Sequence, residues 1–229
     1  MTAARAPHPK TESLAAPLNW FELDRSAHSV QFYLDEGFML DCLSRFISSA
    51  LGAGDSALII APPAHRNGLT ERLNQRGVNL AAAEEMGRYV SLDAAQVLSQ
   101  LMVDGKMNKE RFNELVREVV LPLKAAAGGD PRLLAGCGQM VQLLWAEGKV
   151  EAAVELERFW NELAGQGSYY FRCVFPIASF SDPRHSELFL KLCAQHTSVI
   201  PTESYSALPT EEERLRHVAY LQHREQTTI

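Results

Sequence analysis

The chain has little of what marks several common protein classes. Its 229 residues include four cysteines, Cys42, Cys137, Cys173 and Cys193, and no two form a C-x-x-C pair. No His or Cys cluster has zinc-like spacing, so no metal site is expected, and the thiols read as small buried hydrophobes of a reducing compartment. No apolar run approaches the roughly 20 residues needed to span a bilayer. The first twenty residues (MTAARAPHPKTESLAAPLNW) lack the apolar segment of a signal peptide, which points to the cytoplasm. Positive charge is also short. A formal net charge of -6 gives no general attraction for nucleic acid or an anionic membrane.

Catalytic motifs are missing as well. Nothing matches G-x-x-x-x-G-K-[ST], whose glycines expose amide donors and whose lysine holds the β- and γ-phosphates. The turn after the first strand offers Asp35 and Glu36, two carboxylates that repel phosphate. No G-x-S-x-G or Ser-His-Asp pattern appears, so covalent catalysis has no support. The expectation is a non-catalytic protein without a cofactor.

What is present is apolar patterning, 46% of the residues being hydrophobic. That suits one large α/β domain, alone or with appendages. The chain is organised around Pro131 to Phe180. Arg132 to Ala135 reads as a parallel strand covered on both faces, and Gly136 and Gly138 as a tight strand-to-helix turn. A helix follows with Met140, Leu143, Leu144 and Trp145 inward. A second, Val150 to Leu163, turns Val154, Leu156, Phe159, Trp160 and Leu163 inward. Tyr169 to Phe175 is aromatic and β-prone, the returning strand. Such a crossover is the unit of an α/β sheet, and ligands of open sheets bind beyond the carboxyl ends of the strands.

The rest of the chain alternates in the same way. His28 to Tyr33, Ser56 to Ala61 and Arg88 to Leu92 read as strands. Helices are expected to about Leu51, from His65 to about Arg76, after Asp93, as one long amphipathic stretch over Asn108 to Ala126, and over Asp182 to Ser198. About five strands result, with room for a small extra one. Residues 1–22 read as a disordered tail, 23–200 as the α/β domain, and 201–229 as a C-terminal loop and helix, in which Thr210 and Glu213 form a capping box.

Candidate site residues lie at the strand ends. His65 and Arg66 follow the second strand and suit an anionic ligand, unless Arg66 is a solvated first-turn residue. Tyr33 and Asp35 sit at the equivalent end of the first strand, where Tyr33 either donates into a pocket or has a local partner. Asp93 is a site carboxylate or, better, an N-cap. Gln139 has no basic carboxylate and reads as a pocket residue or a polar helix start. Trp145, Phe159 and Trp160 line either an apolar pocket or the core. Glu157 and Asn161 share one helix face, as an exposed polar pair or at a pocket rim. His28 and His196 are single histidines without a neighbouring nucleophile in the sequence.

Several of these residues carry a resemblance. His28 with Phe32-Tyr33, Ile60-Ala61 before His65-Arg66, Gly87-Arg88 before Leu92-Asp93 and Arg111-Phe112 belong to it. So do Gly138-Gln139-Met140-Val141 with Leu143-Leu144-Trp145, Leu156-Glu157 with Trp160-Asn161, Cys193-Ala194 with His196, and Pro201 to Tyr205. Together, from about His28 to Leu221, they resemble the MEDS sensory domain, a diverged RecA/KaiC-like module of bacterial signalling proteins. The resemblance implies a RecA-like, mostly parallel sheet and a sensory input role, often for small hydrocarbon derivatives. It also implies output through a histidine kinase or transcription regulator. The family usually has glutamate where Gln139 stands and often glutamate where Gln195 stands; if the first of these touches a ligand, the resemblance implies a different ligand here. The chain reads as a free-standing module, its output passing to a partner or through self-association by the helix over Thr210 to Arg224.

The resulting expectation is a cytoplasmic sensory protein that binds a small molecule at the carboxyl edge of its sheet through Tyr33, Asp35, His65, Arg66, Asp93, Gln139 and Trp160. Its rivals are a nucleotide-binding protein with a degenerate phosphate loop, a ligand-free interaction module, and a redox switch at Cys137.

Overall fold

Ser56–Ala61 is six residues with no polar alternation, and every one is buried, as a strand covered on both faces requires. In the computed structural model, which describes residues 27–128, 133–180, 186–200 and 202–203, this segment (β2) lies inside a six-stranded sheet. Its companions are β1 (Ala27–Tyr33), β3 (Tyr89–Asp93), β6 (Leu134–Gly138), β7 (Tyr169–Pro176) and β8 (Ser198–Ile200). The order is β3-β2-β6-β7-β1-β8, with every pairing parallel. The expected parallel α/β sheet with a small extra strand is what forms. The expected tail and the helix over Thr210 to Arg224 lie outside the described residues.

Strand alternation divides the core in two. Tyr33, Ala57, Ile59, Ala61, Ala135, Cys137 and Val174 point to one face, where α1 (Glu36–Gly52), α2 (Pro63–Gln75) and α3 (Leu80–Glu85) pack. Val30, Phe32, Leu58, Ile60, Phe171, Cys173 and Phe175 point to the other. That face is covered by α4 (Ala94–Leu101), α5 (Lys109–Leu115), α6 (Leu121–Ala125), α7 (Met140–Ala146), α8 (Val150–Ala164) and α9 (Ser186–Ala194). The register on this second face matters for function. Ile60, Gly138, Cys173 and Val30 form one row across the sheet, and Leu58, Gly136, Phe171 and His28 form the next.

Four local features differ from the sequence reading. Gly136 and Gly138 lie inside β6 instead of in a turn after it. A Cβ at Gly136 would come within 2.6 Å of the Phe171 ring, so this glycine makes room for a neighbour on the next strand. The stretch over Asn108 to Ala126 is not one regular helix: a π-turn at Val116–Val120 separates α5 from α6. The Leu121 amide donates five residues back to Val116, and Pro122, which has no N–H and whose ring crowds the preceding turn, makes the wide turn favourable. Asp104 and Gly105 take positive φ of 50° and 75° and close a short hairpin, β4 (Met102–Val103) with β5 (Lys106–Met107). Finally, α3 fills a stretch that had no assigned element, its first turn capped by the Asn79 side chain on the Ala82 amide.

No helix among the described residues is long and apolar enough to cross a membrane.

Candidate functional site

The carboxyl ends of β1, β2 and β6 bring several of the expected residues together. Gln139 is buried directly after β6, and His65 Nδ1 sits 2.8 Å from its Oε1. His65 Nε2 lies 3.7 Å from the Glu36 carboxylate at the start of α1. Gln139 therefore does not cap α7 with its side chain; it faces α2. Its Nε2 has no partner among the described residues. Tyr33 is buried next to Gln142, and burial raises its phenol pKa while Gln142 opposes the shift.

The other edge residues are engaged locally. Asp35 caps α1, its carboxylate accepting from the Phe38 amide at 2.7 Å. Asp93 caps α4 by accepting from the Gln96 amide, the better of its two sequence readings. Arg66 donates through Nε to Ser91 Oγ and through Nη2 to the Ser91 carbonyl, which locks α2 onto β3. The turn after β1 carries a further internal contact. Glu203 accepts from the Leu34 amide at 3.0 Å and the Asp35 amide at 2.6 Å, so a carboxylate of the protein takes up the amides facing this strand end.

Trp160 lies elsewhere, on the inner face of α8. With Phe171, Cys173, Gly138, Ile60 and Leu58 it walls a small, mostly apolar cavity of about 20 Å³. The register explains the space. Gly136 is filled by Phe171, whereas a Cβ at Gly138, two residues on and on the same face, would meet nothing within 4 Å. Trp145 and Phe159 are buried in the core; the Trp145 indole donates to the Ser179 carbonyl. A larger, open groove of about 660 Å³ runs between α4 and α5, lined by Asp93, Gln96, Arg111, Glu114 and Glu118 among others.

Beside the cavity, Cys173 also belongs to a buried polar cluster. His28 Nε2 lies 3.2 Å from Glu157 Oε2 and 3.4 Å from Cys173 Sγ. His196 Nε2 is 3.4 Å from the same Glu157 oxygen, without the alignment of a hydrogen bond. His196 Nδ1 donates to the Leu192 carbonyl at 2.8 Å, and the side chains of His28 and Glu157 are fully buried. Burial would raise the Glu157 pKa, but His196 and His28 outweigh it and hold the carboxyl far below its usual range. For His196, burial favours the neutral ring, and Glu157 reverses that, so its pKa is raised. Burial and the Glu157 charge push the Cys173 thiol well above its ordinary value.

Residues 27–191, well over half of the chain, match the model of the methanogen/methylotroph, DcmR sensory domain. The chain belongs to the MEDS family. No curated protein and no solved structure matches it significantly. This MEDS domain is thus a sensory module by family.

The structure distributes the sequence-read site residues between two roles. Gln139, His65 and Tyr33 come to one strand edge, while Asp35, Arg66 and Asp93 serve caps and strand-to-helix ties. Glu157 is neither an exposed pair with Asn161 nor a pocket rim; it is the centre of a buried cluster. The cluster was missed because its members stand far apart in the chain. A carboxylate next to Leu156 on an otherwise apolar helix face was the one signal that pointed to it.

Proposed function

We propose that this MEDS domain is a non-catalytic sensor that admits a small apolar molecule, of the hydrocarbon-derivative class, to the cavity between Gly138, Trp160 and Phe171. Occupancy presses on α8 and changes a contact with a signalling partner or a second copy of the chain. The observation that carries the proposal is the open space at Gly138 under an aromatic wall. Its size suits a guest of about one or two heavy atoms, just above the space one water needs. A partly open apolar recess of that kind takes apolar guests without displacing a strongly held water. A RecA-like ancestry accords with the strand order, and the Glu203 carboxylate on the Leu34 and Asp35 amides speaks against a nucleotide there.

The test is a halomethane titration in sealed cells, followed by thermal unfolding of the wild type and Gly138→Ala. A guest at about 100 times its Kd adds roughly 2.7 kcal/mol, a rise of about 5–11 °C in Tm for this size. The rise is expected in the wild type and lost in Gly138→Ala. An equal rise in both proteins sinks the cavity as the site. Binding of a larger polar molecule that survives Gly138→Ala and is lost in Arg111→Ala favours the open groove instead, whose volume falls in the usual ligand range.

A further inference from the structure

Four side chains from four separate parts of the fold point their ligating atoms at one buried spot. His28 comes from the start of β1, Cys173 from the middle of β7, Glu157 from α8, and His196 from the turn between α9 and β8. Their ligating atoms all lie within 4.8 Å of one another. Backbone bonds fix the two histidines relative to each other: the Thr197 amide donates to the His28 carbonyl at 2.7 Å, and the His28 amide donates to Thr197 Oγ1.

We propose that His28 Nε2, Glu157 Oε2, Cys173 Sγ and His196 Nε2 form a closed four-coordinate site for a divalent first-row metal ion, zinc foremost.

The spacing carries the proposal. Metal–ligand lengths near 2.0 Å for N and O and 2.3 Å for S place the corners of a tetrahedron about 3.3–3.6 Å apart. Four of the six edges are close to that: 3.2 Å for His28–Glu157, 3.4 Å for His196–Glu157, 3.4 Å for His28–Cys173 and 3.5 Å for Cys173–Glu157, and the other two lie within 4.8 Å. The charge also closes. One thiolate and one carboxylate neutralise a dication, and two neutral imidazoles complete the set, so a dry site holds no net charge. Metal-bound histidines usually donate their second nitrogen to a carbonyl or carboxylate. His196 does so to Leu192, which leaves Nε2 as the free lone pair.

Without an ion the cluster is poorly satisfied. Three polar groups crowd one oxygen, Glu157 Oε2, while His196 Nε2, one of the four proposed ligand atoms, has no hydrogen-bond partner among the described residues. On binding, the Cys173 proton and any proton on the His–Glu pair leave to solvent as the metal–sulfur and metal–nitrogen bonds form. Four protein ligands leave no open position, so the site is structural: it ties β1, β7, α8 and the α9–β8 turn together.

The experiment uses the full chain, reduced and purified without chelator. Elemental analysis is expected to find one zinc per chain. Chelation followed by cobalt(II) is expected to give a thiolate-to-cobalt charge-transfer band and the intense visible bands of a four-coordinate ion. Cys173→Ser removes the charge-transfer band, and His196→Asn lowers cobalt affinity by 10-fold or more, the fold confirmed in each by circular dichroism. If either variant fails to fold, the wild-type spectrum alone decides. Substoichiometric metal with no cobalt uptake by the wild type overturns the site, as does a charge-transfer band that survives Cys173→Ser.

Discussion

Gly136 and Gly138 are two residues apart on one strand and face the same helix, yet the fold gives them opposite tolerances. At Gly138 a Cβ enters open space, and the backbone there needs no positive φ. Gly138→Ala therefore restricts the unfolded chain at no native cost, worth about 0.4–1 kcal/mol. The new methyl is only partly enclosed, so burial adds about half of the ~0.8 kcal/mol of a fully buried methylene. The sum is a stabilisation of about 0.8–1.4 kcal/mol, or about 2–6 °C in Tm for a chain of this size. At Gly136 the same methyl meets Phe171 Cδ1 at 2.6 Å and Cε1 at 2.9 Å. Phe171 cannot step aside, because Tyr169 stacks on it at 5.3 Å and Trp160 abuts it at 4.9 Å. Overpacking of this kind costs about 1–3 kcal/mol. Urea unfolding of both variants measures the contrast as opposite shifts in midpoint at a common slope. Destabilisation by Gly138→Ala comparable to that of Gly136→Ala would refute the cavity and the binding mode built on it.

Burial pushes the Cys137 thiol up to about 12, a smaller pull from Arg172 opposing it, so mass spectrometry at pH 8 should find Cys137 unalkylated in native protein while the half-buried Cys42 and Cys193 react. Fast native modification of Cys137 would revive the redox switch. Asp41 pairs with Arg45 on α1 and is tied to the end of α2 by Arg76, and the Arg45 guanidinium, with Arg76 adding, holds its carboxyl below the usual value. Its folded pKa is depressed, so its contribution is complete above the unfolded value of about 3.9 and disappears as pH falls through the folded value. Asp41→Asn should cost under about 1 kcal/mol at neutral pH, because the pair is exposed, and the difference from wild type should vanish in acid. Glu203→Ala should speed hydrogen exchange of the Leu34 and Asp35 amides, which lose their carboxylate acceptor, while exchange of the central β2 amides stays unchanged. Unaltered exchange at both amides would show that the contact is not formed in solution.

Periodicity and turn chemistry were enough for the frame of the fold. An unbroken apolar run such as Ser56 to Ala61 has to be buried on both faces, and only a covered, parallel sheet does that. The N-cap at Asp93 was equally legible, because a cap joins residues three apart. Legibility failed where the cause lay in another strand or helix. Gly136 reads as a turn glycine until Phe171 is placed beside it by the β6–β7 register, and Gly138 reads the same way until that register leaves it facing a void. Pro122 stands inside an otherwise regular helical pattern, and only the five-residue bond from Leu121 shows how the chain accommodates it.

The sequence by itself determined the layered α/β architecture, because burial of apolar faces is a local, periodic property of the chain. Tertiary structure alone decided the site. His28, Glu157, Cys173 and His196 stand 16 to 168 positions apart in the chain, and no local spacing relates them. Strand order places β1 next to β7 and lays α8 across them, so ligating atoms meet only after the sheet has assembled.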